Sequence, residues 1–531
     1  MKQSTTTKPS GMMRFAKAVE RAGNKLPHPM YIFLYLLIGC MIISAICSAA
    51  GVSVTYSAST KLADGTYEVK EATVAVKNLL SRAELQNFLE NIIAAYQANT
   101  MLIPMLVMAM TMAIAEETGF FEAALRKMLL SAPRSVATYA LCVVGICSNI
   151  CSDAGMILAP AIGAVMFKAL GRNPWIGIAI GYGASAAGFT ANLLPATTDA
   201  ILAGISANLA ADAGYEVHAL SNYIFLFVAT WTLAAVLAFV CEKYVAPIYG
   251  DTKASYSGDE SGLKKFSLTA EENRGLKFAR IGAITFAAVL VLGCLPFADF
   301  PFLLGFFRSV NGKLVGLTNA PIMKSIVPII GLFFLCIGIP YGYGSRKIKN
   351  KNDIAKMIQR GVIKMSSLVF VVFPCSLFIY EFNRSGLSTV ISVGGERLLR
   401  SIGLSGLPML LVFILVIACL NIFMYSGSAK WMILAPIFIP MFANMGIHPA
   451  ITQVAYRIGD SSTNNLTPLN ACLLAVIALM EQYRDPELNP ENPGVGTVLA
   501  TQLPISIATM ITLAVQLVVF YLLNIPIGIG M

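Results

Sequence analysis

Residues 30–52 read MYIFLYLLIGCMIISAICSAAGV, an apolar run without one charged side chain. It exceeds the ~20 residues a helix needs to cross a bilayer core. It also exceeds the apolar region of about 7–15 residues in a cleavable secretory signal. Backbone N–H and C=O groups find no water in hydrocarbon, so only helices and closed barrels cross it. The run therefore predicts a retained first transmembrane helix. Comparable runs recur to the C-terminus, and charged residues fill only 12% of the 531 positions, where a soluble domain carries about 25%. The sequence reads as an all-α polytopic membrane protein embedded in a lipid bilayer.

A formal net charge of +10 raises the question of a nucleic-acid partner. The answer is no, because lysines and arginines stand beside apolar spans, as cytoplasmic flanks do. Lys2, Lys8, Arg14, Lys17, Arg21 and Lys25 place the N-terminus inside. The run SRKIKNKND after residue 344 is a second inside marker. Cys40, Cys142, Cys294, Cys336 and Cys419 lie in apolar segments, with no C-x-x-C pair, and His28, His218 and His448 fall at span ends or in loops. That distribution argues against a disulfide framework and a transition-metal site.

Alternating the sides along the chain gives nine transmembrane helices plus two re-entrant hairpins. A cytoplasmic tail covers 1–29. A first half, 30–243, holds a hairpin at about 136–170 and a broken helix at about 174–210. A cytoplasmic loop covers 244–280. The second half, 281–531, holds a hairpin at about 407–445 and a broken helix at about 449–479. The first hairpin has Arg134 on one flank and Lys168 with Arg172 on the other, so it opens from inside; by parity the second opens from outside. The segment at about 53–92 is polar and poor in apolar runs.

The two halves share a pattern. MILAP begins at Met156 and again at Met432, Pro174 answers to Pro449, and NLLP (192–195) answers to NLTP (465–468). Hairpin, proline and broken span recur in one order at nearly constant spacing, with opposite topology. Inverted-topology repeats with paired broken helices point to a secondary transporter whose site lies near the midplane.

Irregular backbone at that depth needs protein or water around it. Ser148, Asn149, Ser152, Thr197, Thr198, Ser461, Ser462, Thr463 and Asn464 offer neutral oxygens there. Such hard ligands suit Na⁺ better than a soft metal. Asp199, Lys430, Arg457 and Asp460 lie in or beside the same elements. A charge at membrane depth costs at least about 2.5–3.5 kcal/mol and marks a functional candidate. Arg457 and Asp460 have the i,i+3 spacing of a helical ion pair; they either neutralise each other or serve the site. Asp199 has no cationic neighbour in the sequence, which favours an ion-coupling role. Trp431 either packs in the core or stacks on a substrate ring. Glu116 and Glu117 read as interfacial.

SGSAKWMILAPIFIPMF (426–442) and YRIGDSSTNNLTPLN (456–470) closely resemble the AbgT family, the p-aminobenzoyl-glutamate transporters. GNKLPHP (23–29), SNICSDAG (148–155) and GFTANLLPATTDAILAGI (188–205) resemble it too. The resemblance implies a homodimer, alternating access, and transport of p-aminobenzoyl-glutamate or export of sulfonamide-type antimetabolites. It also implies functional roles for Asp199, Asn421, Ser428, Trp431, Pro449, Arg457, Asp460 and Pro468. The LNACLL stretch after Pro468 departs from the family pattern.

The expectation is an ion-coupled secondary transporter in the cytoplasmic membrane, not an enzyme: neither H-E-x-x-H nor G-x-S-x-G occurs. Its cargo would be a small aromatic carboxylate. Substrate contacts are expected at Asn421, Ser428, Trp431, Pro449, Arg457 and Pro468. Coupling by H⁺ or Na⁺, with no other cofactor, is expected at Asp199, Asp460, Ser148, Asn149, Thr198, Ser461 and Asn464. A Na⁺-coupled dicarboxylate carrier on the same inverted-repeat plan is the alternative, and an anion channel a more distant one.

Overall fold

The computed structural model describes residues 27–61, 67–99, 102–151, 153–249, 266–295, 305–316, 320–485 and 492–529. The basic tail before residue 27, Ser152, and parts of the 244–280 and 480–496 loops lie outside them.

The first half runs α1 (Pro29–Ala49), β1 (Ser53–Lys61), β2 (Tyr67–Ala75), α2 (Arg82–Gln97), α3 (Leu102–Glu117), α4 (Phe120–Leu130), α5 (Ala137–Cys147), α6 (Asp153–Ala169), α7 (Pro174–Ala186), α8 (Thr197–Asp212) and α9 (Tyr223–Val240). The second runs α10 (Ala270–Cys294), β3 (Ser309–Val310), β4 (Lys313–Leu314), α11 (Pro321–Lys324), α12 (Ile326–Gly344), α13 (Lys351–Arg384), α14 (Leu387–Ser401), α15 (Gly406–Phe423), α16 (Gly427–Asn444), α17 (Pro449–Ser462), α18 (Cys472–Gln482) and α19 (Val495–Leu522).

Helices dominate, with two corrections to the all-α reading. The polar segment after α1 forms an antiparallel hairpin, β1 with β2, in which Ser53 opposes Ala75, and a second small hairpin pairs β3 with β4. Residues 53–56 and 72–74 are rich in Val, Thr and Tyr, types that suit strands; a search for apolar runs passes over them. The helices α2 and α14 are amphipathic, and neither by itself is apolar enough to cross a bilayer. Helix α13 runs unbroken for 34 residues.

Eight helical segments among the described residues are long and apolar enough to span. Seven of them lie outside the expected hairpins and broken helices. The eighth, Gly406–Phe423, falls where the first arm of the second hairpin is expected and is long and apolar enough to cross by itself. Neither broken span qualifies, because each is split: α7 and α8 have 13 and 16 residues, α17 and α18 have 14 and 11.

Both breaks follow from local chemistry. Asn173 and His448 cap α7 and α17 ahead of Pro174 and Pro449, where proline's missing N–H costs nothing. Pro195 and Pro468 then stand in the gaps, where the ring bars helical backbone in the residue before it.

Packing ties each hairpin to its broken helix and exchanges parts between halves. Helix α7 lies against α5 and α6, and α17 against α15 and α16. Gly163 and Gly177 let α6 and α7 touch backbone to backbone, since a Cβ on either would meet the other's carbonyl oxygen within 2.3 Å. Such small-residue contacts are a usual basis of helix association in membranes. Across the halves, α8 packs on α16 and α18 packs on α6. Each second half-helix thus leans on the return arm of the opposite hairpin. Outside this unit, α13 gathers α1, α2 and α3, and α3 also packs on α12, which carries α10. Glu116 and Glu117, read as interfacial, pair with Lys364 and Arg360 of α13.

Candidate functional site

The two breaks and the second hairpin tip meet in the packed unit. Between them lies a cavity of about 170 Å³ walled by both halves. Met156, Phe189, Thr190 and Thr198 come from the first, and Tyr425, Ser428, Arg457, Asp460 and Asn464 from the second.

Asp199 is the third residue of α8, and its Oδ2 accepts the Ala196 N–H at 2.6 Å. Its Oδ1 accepts from Arg457 Nη1 at 2.6 Å, with side chains only 3% and 5% exposed. A carboxylate at a helix N-terminus is favoured by the free N–H groups there, and the guanidinium supplies the opposite charge. Thr190 completes the junction: its hydroxyl donates to the Arg457 carbonyl at 2.7 Å and contacts Ser461 Oγ at 2.5 Å. Thus the turn after α7 is bolted to α17.

Asp460 takes a different cation. Its Oδ1 lies 2.7 Å from Lys430 Nζ. Asn421, at the end of α15, accepts from Lys430 Nζ at 2.5 Å and donates to the Asp460 carbonyl, Thr463 Oγ1 and Asn464 Oδ1. Of the two readings left open for Arg457 and Asp460, the structure does not show mutual pairing. Arg457 reaches across to the first half, and Asp460 turns to the hairpin tip. Asp199 does have a cationic partner, supplied from 258 positions away.

For Trp431 the structure shows the core-packing alternative. Its ring is fully buried, stacks on Tyr456 with centroids 4.4 Å apart, and donates its indole N–H to Ser206 at 3.0 Å. It is absent from the cavity wall, whose rings are Phe189 and Tyr425. The Trp431 bond extends a polar chain through Ser206, Gln453 and Asn222 that joins α8, α17 and α9. Buried polar groups need such partners, and this chain supplies one for the Trp431 indole N–H.

Of the remaining expected residues, Ser428, Thr198 and Asn464 line the cavity, while Ser461 and Asn421 stand directly behind it. Ser148 and Asn149 do not reach the cavity wall. Ser148 donates to the Gly145 carbonyl, and Asn149 donates to the Phe189 and Ala191 carbonyls, bracing the first tip against the break after α7. Pro449 is buried at the start of α17, and Pro468 lies half-buried in the second break. Both act on backbone course. Sequence reasoning left out Thr190, Phe189 and Tyr425. Thr190 and Phe189 lie inside the quoted break motif, so their position was the available signal. Among the described residues no group of three or more His, Cys, Asp and Glu side chains could hold a metal ion.

The model of the AbgT putative transporter family matches residues 14–531. The p-aminobenzoyl-glutamate transport protein of Escherichia coli (strain K12) is 34% identical over 514 residues, 96% of this chain and 95% of that protein. Two solved structures are similar throughout. MtrF of Neisseria gonorrhoeae, described with a class of antimetabolite efflux pumps, has a TM-score of 0.86 at 30% identity, covering 96% of this chain and 98% of its own. The YdaH transporter of Alcanivorax borkumensis has a TM-score of 0.81 at 27% identity, covering 94% and 100%.

Proposed function

The chain belongs to the AbgT family of membrane transporters, and from that premise we propose that it is an ion-coupled secondary transporter for p-aminobenzoyl-glutamate or a related aromatic carboxylate or sulfonamide antimetabolite. The reading extends to nine spans with two re-entrant hairpins in the cytoplasmic membrane, assembled as a homodimer. One observation carries it: two buried cation–carboxylate pairs, Arg457 with Asp199 and Lys430 with Asp460, meet beside a cavity built from both halves.

Breaking a buried pair by removing one charge costs about 3–5 kcal/mol. An anionic substrate reaching Arg457 avoids that cost by replacing Asp199 as counter-ion, provided Asp199 is neutralised by H⁺ or by a bound cation. Substrate and Asp199 then compete for one guanidinium, so a coupling cation bound at Asp199 favours the anionic substrate at Arg457, and the two bind together. Phe189 and Tyr425 give an aromatic ring two faces to rest on, while Ser428 and Thr198 offer hydroxyls.

Flux of radiolabelled p-aminobenzoyl-glutamate in proteoliposomes with imposed H⁺ or Na⁺ gradients tests this. Gradient-driven flux is the expected result, and flux indifferent to both gradients overturns the coupling. Succinate displacing the label favours the dicarboxylate carrier instead.

A further inference from the structure

Lys430 sits in the first turn of α16, and its side chain is 2% exposed. Three oxygens of different kinds surround its ammonium: the Asp460 carboxylate at 2.7 Å, the Asn421 amide oxygen at 2.5 Å and the Met424 carbonyl at 3.2 Å. An ammonium has three protons to donate, so the cage uses all of them. Asn421 cannot turn away, because its amide nitrogen donates to the Asp460 carbonyl, Thr463 and Asn464. Met424 follows the last residue of α15, where carbonyls released from the helix attract cations.

Carboxylate, amide oxygen and free carbonyl are the ligand set of a hard cation. We propose that Lys430 is a tethered cation, its ammonium filling a position in the second half that an alkali ion would otherwise take. This deepens the reading of the site as ion-coupled and removes the second hairpin tip from the places where free Na⁺ binds. Charge balance supports it. Arg457 and Lys430 neutralise Asp199 and Asp460, so a further Na⁺ at this tip would bring an uncompensated charge to a buried site, which is costly.

The first half offers a contrast. The MILAP repeat aligns Ala154 with Lys430, so no ammonium is available there, and on that tip the Asn149 amide oxygen is buried without a partner.

The test needs no substrate, so its failure is separable from failure of the transport reading. Thermal unfolding of the purified full chain is measured in Na⁺, K⁺ and choline at equal ionic strength, for wild type, Lys430→Ala and Lys430→Arg. Lys430→Ala vacates the cage and is expected to gain a saturable Na⁺-specific stabilisation beyond any shown by wild type. Lys430→Arg keeps the charge and should gain none. A Lys430→Ala response equal to wild type in all three salts overturns the proposal, as does a Na⁺ response that wild type has and Lys430→Ala loses. Preparing Lys430→Ala and Lys430→Ser in parallel in Na⁺ and in choline makes recovery itself a readout. Folding rescued only by Na⁺ supports the cage, and equal loss in both buffers overturns it.

Discussion

Replacing Asp199 by alanine removes the carboxylate that faces Arg457 and leaves a guanidinium whose side chain is 5% exposed. Its other contact from the terminal nitrogens is one 3.5 Å bond from Nη2 to the Thr190 carbonyl. An uncompensated buried charge of this kind costs about 3–5 kcal/mol. The Ala196 N–H also loses its acceptor, adding about 0.5–1.5 kcal/mol. Arg457→Met strands the opposite charge and should cost a similar amount. Removing both charges together avoids most of the penalty, because no lone ion remains. Equilibrium unfolding of the two single variants and the double variant in detergent should therefore give a coupling of about 3 kcal/mol or more. Flux in proteoliposomes provides the second axis. The double variant should regain stability and still fail to transport, since the counter-ion exchange has no participants. Single-variant effects that add to within about 0.5 kcal/mol, the behaviour of independent sites, refute the argument. So does normal gradient-driven flux by Asp199→Ala.

Two further outcomes follow from the same geometry. Trp431→Phe keeps the stack on Tyr456 but loses the donor to Ser206, so it should cost about 1 kcal/mol of stability. It should also leave tracer binding within about twofold, whereas Tyr425→Ala, on the cavity wall, should weaken binding more; the reverse order returns Trp431 to the substrate. His448 caps α17 by accepting the Ala450 N–H at 3.1 Å, and burial lowers its pKa to about 4, below the ~6.5 of an unfolded histidine. The unfolded chain binds the extra proton first, so the contribution is whole above about pH 6.5 and lost as pH falls towards 4. His448→Asn keeps a good cap, and its melting temperature should fall less steeply than wild type over that window; equal slopes contradict the assignment.

How much of this was legible differs by level. Breaks, caps and repeat order are local matters. Pro174, Pro195, Pro449 and Pro468 impose them through backbone geometry alone, and the structure places half-helices and gaps where those residues stand. The β1–β2 hairpin escaped because short strands of mixed polarity have no counterpart in hydropathy. Ion pairing escaped for another reason. Helical spacing offered Asp460 as Arg457's partner, yet nothing in spacing shows which way a long side chain turns, and the preferred counter-ion lay in the other half. Trp431, beside a polar tip in sequence, is buried against Tyr456 and Ser206 and is absent from the cavity wall.

By itself the sequence determined that the chain is a membrane protein of two related halves with paired interruptions, since hydrocarbon admits few backbone forms and proline permits fewer. It also supplied the charged residues from which the site is built. Only the tertiary structure decided which charges meet. Bringing α17 onto α8 and onto α16 sets Arg457 against Asp199 and Asp460 against Lys430. In a low-dielectric interior, a contact of 2.6 Å across 258 positions outweighs a spacing of three along one helix.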